Sequence, residues 1–265
     1  MMGRARRALA LLVPALALSA AARGDAALDS YLSAVASQLD TRAAEALARL
    51  DGTGRRLLAA RSYLRSSASL RDHWSWTQAQ IDAYQGSPAQ RHLDDEIGRV
   101  RQAFEEGNPG FTLYVNPQVR SLDVQIERWN TNTSVSAAAE DLLSAAAALV
   151  EAGRFPDAGT PAGRDAFAAF LRSHTPTPIP TIAVPGLSPH GQMRAVDFQV
   201  RKGEETIAGP DTTTIETLWL AGGWRDRLSS AVAASGARFV GPLERPDEPW
   251  HYNYLGELDL SAGSQ

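Results

Sequence analysis

The chain contains no cysteine among its 265 residues, which excludes disulfide staples and thiolate metal ligands alike. Stability must therefore come from packing, and from bound metal if there is one. A cysteine-free exported chain fits a bacterial periplasm or the cell exterior. Histidine is scarce too, with five residues, so any pair falling into metal-ligand spacing carries weight. No basic stripe interleaved with aromatic residues is present, and the formal net charge is −4; together these argue against a nucleic-acid partner. No internal repeat is evident. The one long apolar run, Ala8 to Ala20, is too short for a dependable membrane span.

That run follows Arg4, Arg6 and Arg7 and leads into small residues around Ala20-Ala21-Ala22 and Gly24-Asp25-Ala26. The order of basic, apolar and small segments is that of a secretory signal peptide over residues 1–26. Cleavage at Ala22 or Ala26 takes the formal charge from −4 to about −7, leaving an acidic mature protein without a membrane span. The expected location is periplasmic or extracellular.

From residue 27 to 109 the pattern is helical. Leu28, Tyr31, Leu32, Val35 and Leu39 form a stripe, and further helical segments run Arg42 to Arg49, Gly54 to Leu64 and Gln90 to Phe104. Asp51-Gly52 and Gly86-Ser87-Pro88 break them. Trp74, Trp76 and the adjoining His73 read as packing residues between helices.

A second region is expected from residue 110 to 265. After the turn Gly107-Asn108-Pro109-Gly110, Phe111 to Val115 alternates as a strand. Asn116-Pro117 reads as a helix start, with Val119, Leu122, Ile126 and Trp129 as its buried stripe and Arg120 in its first turn facing a cleft. Helices are expected over Ser134 to Ala152, Ala162 to Ser173 and Thr212 to Ser235. His174 reads as a helix-end group and not a metal ligand. In Ala195 to Val200, alternation buries Val196, Phe198 and Val200 and turns Asp197 to the other side. Arg238 to Gly241 returns as a strand. The fold class expected is α+β: a small antiparallel sheet with flanking helices, preceded by a helical N-terminal region.

The segments Ser188 to Asp197 and Glu248-Pro249-Trp250-His251 carry the chemistry. His190, His251 and Asp197 supply two imidazoles and one carboxylate, donors that Zn²⁺ accepts, and three protein ligands leave a position open for water. Glu248 stands three residues before His251, placed to take a proton from that water. Residues three apart on a regular strand point to opposite faces, so Glu248 and His251 converge only if the backbone turns near Pro249.

These residues resemble the M15 family of zinc D-alanyl-D-alanine peptidases, whose pattern is S-x-H-x(6)-D followed by E-x-x-H, matched here by Ser188, His190, Asp197, Glu248 and His251. An upstream R-S-x-x-x-Q signature is matched by Arg120, Ser121 and Gln125, and the resemblance runs from about Gly110 onward. It implies that His190, Asp197 and His251 hold zinc and that Glu248 is the catalytic base. Arg120 would bind a substrate carboxylate or the oxyanion, while Ser188, Ser121 and Gln125 would line the substrate site; Trp250, read from its position alone, is equally a wall of that cleft or a packing residue. Met193 departs from the family's usual glycine, which puts the loop path and substrate fit in question. The implied substrate is a peptidoglycan stem peptide ending in D-alanine. A D,D-carboxypeptidase, a cross-link endopeptidase and a low-turnover peptidoglycan-binding protein remain open. The signal sequence counts against a dipeptidase acting on a cytoplasmic precursor.

Overall fold

A computed structural model describes residues 26–66, 70–116 and 118–258. The expected signal peptide lies outside the described residues except for Ala26. The protein is α+β, and its chain divides into two compact units that are discontinuous in sequence: Met1–Arg71 with Ile126–Pro185, and Asp72–Gln125 with Gly186–Gln265. The boundary anticipated at residue 110 falls inside the second unit, because the helix preceding it shares its core with the sheet.

The first unit is helical. Its elements are α1 (26–36), α2 (Thr41–Ala48), α3 (Thr53–Arg65), α8 (Thr133–Glu151) and α9 (Pro161–Ser173). Asp40, Asn132 and Thr160 cap α2, α8 and α9 by accepting hydrogen bonds from first-turn N–H groups. α3 and α8 cross closely at small residues: a Cβ on Gly54 would stand 2.8 Å from the Ala139 carbonyl oxygen. Among the described helices α8 is long and apolar enough to cross a membrane, yet it turns Val135, Ala138, Leu142 and Ala146 inward as a core helix does. His174 closes α9 and pairs through Nε2 with Asp141 at 2.8 Å, a helix-end role as its position suggested.

Among the described residues, the second unit contains α5 (Gln78–Tyr84), α6 (Pro88–Gly107), α10 (Trp224–Ser235) and five strands: β1 (Thr112–Val115), β2 (Ala195–Lys202), β3 (Glu205–Ala208), β4 (Phe239–Val240) and β5 (His251–Tyr254). Two short helices, α4 (Leu70–His73) and α7 (Leu122–Thr131), run across the sequence boundaries between the units. The strands form an open antiparallel sheet in the order β1-β2-β5-β4, with β3 also pairing to β2.

Ser87 caps α6 and Pro88 starts it, after which Ala89, Leu93, Ile97, Val100 and Phe104 repeat at helical spacing on its buried side. They pack with Leu228 and Val232 of α10 and with Leu113, Val115, Val196, Phe198, Val200, Tyr252 and Tyr254 of the sheet. Trp76 joins this core against Tyr84, and Trp74 is also buried, as a packing role requires. Glu96 is a buried carboxylate on α6. It accepts hydrogen bonds from the Arg238 backbone N–H and Nε, each at 3.0 Å, and pairs with Arg99 at 2.6 Å, so α6 holds the entry to β4.

Two expected helices are corrected. α7 begins at Leu122 and not at Pro117: the Asn116 side chain accepts from Gln118 N–H in a local turn, and Ser121 takes the cap position, its hydroxyl accepting from Val124 N–H. Arg120 therefore lies in the loop before the helix. Thr212 to Ser235 is not continuous either. A 3₁₀ turn (Thr212–Thr214) and a π-helical segment (Ile215–Leu220) precede α10, and the break falls at Gly222-Gly223, where Gly223 has φ +67°.

Candidate metal centre

The site is built on the face of β2 and β5 turned away from the core. Alternation sends Val196, Phe198 and Val200 inward, so Asp197 projects outward. β5 pairs with β2 so that His251 stands directly opposite Asp197, and cross-strand partners share a face. The chain turns at Pro249-Trp250 before β5, which lets Glu248 approach the same place despite its three-residue offset. Tyr252, pointing the other way, meets Phe198 edge to face and shares a hydrogen bond with Ser229 of α10 at 3.1 Å. Packing on the inner face thereby sets the outer one.

His190 arrives from a 3₁₀ turn, Pro189–Gln192, just ahead of β2. The turn closes through Met193, whose φ of 53° and ψ of 22° are left-handed. This is the position at which the resembled pattern carries glycine, and the backbone explains why: only glycine adopts that conformation without steric cost. Met193 accepts the strain and compensates by burying its side chain in the core.

The three ligand-type atoms form a nearly equilateral triangle. His190 Nε2 lies 3.2 Å from His251 Nδ1 and 3.4 Å from Asp197 Oδ1, and His251 Nδ1 lies 3.2 Å from the same oxygen. Tetrahedral bonds of about 2.0–2.1 Å give ligand-to-ligand edges of about 3.3–3.4 Å. The triad thus has the dimensions of a group that can hold a metal ion. Its oxygen adds a second indication, because Asp197 Oδ1 is buried and has no hydrogen bond of adequate geometry despite two ring nitrogens within reach. Two imidazole nitrogens and a carboxylate oxygen converging on one point are mutually repulsive unless a proton or a cation lies among them.

The electrostatics favour the ligand forms. Burial, helped by the charge of Arg120 and by His251, outweighs the pull of Asp197 and lowers the pKa of the His190 ring, so it is held neutral. Burial would raise the Asp197 carboxyl, but its contacts with His190 and His251 and the charge of Arg120 prevail and keep it well below the usual carboxylate range. Glu248 brings Oε2 to 3.5 Å from His251 Nδ1. Burial first, and then the charge of Asp197, push its carboxyl up against the opposing pull of His251 and Arg120, which makes it a better proton acceptor than an exposed carboxylate.

The upstream signature residues take places that the sequence did not indicate. The Arg120 guanidinium pairs with Asp197 Oδ2, leaving Oδ1 to the two histidines. Gln125 is 6 % exposed, and both ends of its amide are engaged within the protein. Ser121 caps α7. Ser188 is buried and accepts from Gly191 N–H through its carbonyl. Trp250 is 3 % exposed and packs on Trp219 with ring centroids 5.9 Å apart, so it offers next to no surface to a substrate. Ser75 was missed altogether; it lies between the two tryptophans read as packing residues, accepts from the Gln125 amide at 2.8 Å and donates its N–H to the Gly186 carbonyl. No family model matches the chain, nor does a curated protein or a solved structure.

Proposed function

We propose that this protein is an exported, zinc-dependent peptidase that hydrolyses D-alanine-containing peptidoglycan stem peptides in the manner of a D,D-carboxypeptidase. The observation that carries the metal part of this reading is the His190, Asp197 and His251 triangle around a buried, otherwise unsatisfied carboxylate oxygen. Two imidazoles with one carboxylate suit zinc, and three protein ligands are the number typical of a catalytic site. The substrate class and the export rest on the motif resemblance and on the signal-like N-terminus.

Zinc held there would act as a Lewis acid and bring the pKa of a bound water from its bulk value to about 7. Glu248, beside the triad and with its carboxyl pushed up, takes a proton from the attacking water and passes it to the leaving amine. Arg120 divides Asp197 between its two oxygens and adds positive charge where the attacked carbonyl becomes negative.

One observation favours a second reading, a peptidoglycan-binding protein with little turnover. Arg120 is engaged with Asp197, and an arginine so engaged is less free to bind an oxyanion. The same experiment separates the two: purified protein is incubated with a defined muropeptide with and without a chelator, and the products are weighed by mass spectrometry. Loss of a terminal D-alanine that the chelator abolishes is the expected result. Unchanged muropeptide at full zinc occupancy overturns the peptidase reading, and a cut within the cross-link reassigns it to an endopeptidase.

A further inference from the structure

Next to the metal loop lies a buried latch of side-chain and backbone hydrogen bonds. Gln125 sits at its centre. Its amide nitrogen donates to Ser75 Oγ at 2.8 Å and to the Arg120 carbonyl at 2.6 Å, and its amide oxygen accepts from Gly186 N–H at 2.9 Å. Both N–H bonds of one side-chain amide are thereby committed inside the protein, together with its oxygen.

The segment around Ser75 completes the latch by pairing with the loop that carries His190. Ser75 N–H donates to the Gly186 carbonyl at 2.8 Å, Trp76 N–H donates to the Gly191 carbonyl at 2.9 Å, and the Gln192 amide donates to the Trp74 carbonyl at 2.7 Å. The fit is close enough to require glycine twice. A Cβ on Gly186 would stand 2.4 Å from the Trp74 ring, and one on Gly191 would stand 2.1 Å from Ser75 Oγ and 2.7 Å from the Gln125 amide nitrogen. Arg120 N–H in turn donates to the His190 carbonyl at 3.4 Å.

We infer that Gln125 is a positioning residue: with Ser75 it locks the His190 loop and the Arg120 loop to each other, and so sets the metal ligand His190 and the Arg120 that orients Asp197. The inference rests on the metal reading of the triad, not on any substrate. It replaces a substrate-binding role for Gln125 with a role in ligand geometry. Such a device suits this site because two of the three ligands share a rigid strand pair, whereas His190 stands on a short turn that has no ladder of its own.

Metal binding to the full chain provides the test. Zinc affinity is measured by chelator competition, and the visible absorption of the cobalt-substituted protein reports ligand geometry. Gln125→Leu removes all three side-chain bonds, and we expect it to weaken zinc binding by about tenfold or more, the effect typical of groups that orient metal ligands, with a changed cobalt spectrum. Ser75→Ala deletes one bond with little volume change and should shift both readouts the same way by a smaller factor, which covers the case in which Gln125→Leu fails to fold. Glu96→Gln, a buried change in the same unit outside the latch, should lower the melting temperature without altering the cobalt spectrum. If Ser75→Ala and a folded Gln125→Leu both keep wild-type affinity and spectrum, the inference is overturned while the metal site stands. If the wild-type protein binds neither ion, the metal reading is overturned and the inference falls with it.

Discussion

The two faces of the β2–β5 pair are made from alternate residues of the same short strands, yet they obey different rules. Inward, Val196, Phe198, Val200, Tyr252 and Tyr254 are buried in an apolar core shared with α6 and α10. Outward, Asp197 and His251 are almost as buried, at 10 % and 7 % side-chain exposure, but among charges and ring nitrogens. The first arrangement stabilises the protein by removing hydrocarbon from water. The second costs desolvation energy and is sustained only if its charges are matched. A face that concentrates buried polar atoms beside a well-packed core is where function belongs.

Substitutions on either face test this contrast. The largest effect should come from Glu248→Gln, which removes the proposed proton acceptor: under the peptidase proposal, kcat for muropeptide hydrolysis should fall about 10²–10⁴-fold while zinc, measured by elemental analysis, stays bound. On the inner face, Phe198→Ala should lower unfolding free energy in denaturant titration by about 3–5 kcal/mol, because Phe198 is fully buried between Phe239 and Tyr252. Its outward neighbourhood behaves in the opposite way. His251→Ala should weaken zinc binding by more than about 100-fold and leave apo-protein stability within about 1 kcal/mol of wild type, since it also relieves a crowded polar cluster.

Met193→Gly sharpens the comparison at the junction of the two faces. Relief of the left-handed backbone should return about 1 kcal/mol, but loss of a buried methionine side chain costs more, for a net destabilisation of about 1–3 kcal/mol. Its measurement is the chemical unfolding midpoint. The smallest effect is a pH dependence seated at Glu96. Although burial opposes it, hydrogen bonds from Arg238 and the charges of Arg99 and Arg238 lower the Glu96 pKa in the folded state. A depressed carboxyl stabilises the fold above the pKa it has when unfolded, and that contribution is lost as pH falls through the folded value. Melting temperatures recorded from neutral to acid pH should therefore fall less steeply for Glu96→Gln than for wild type.

Much of this site was legible before any coordinates. The strand over Ala195 to Val200, its outward Asp197 and the turn at Pro249 all follow from local pattern. The roles of Arg120 and Gln125 were not legible, because a side chain's partners depend on what packs over it. Gln125 looks like a ligand-binding amide in one dimension and is a buried clamp in three. Ser75 carries no spacing signal at all, since its contacts with Gly186, Gly191 and Gln125 are long-range in sequence. The helix expected at Pro117 failed because Asn116 closed a local turn and Ser121 offered a competing cap.

Sequence alone determined which side chains are able to bind a metal and which side of β2 the carboxylate takes, because donor chemistry and two-residue alternation are properties of the chain itself. Only the tertiary structure decided that His251 stands opposite Asp197, that His190 closes the triangle, and that a glutamine behind them holds the loop. Register and long-range hydrogen bonds depend on how distant segments bury their apolar faces together, and no local spacing encodes that.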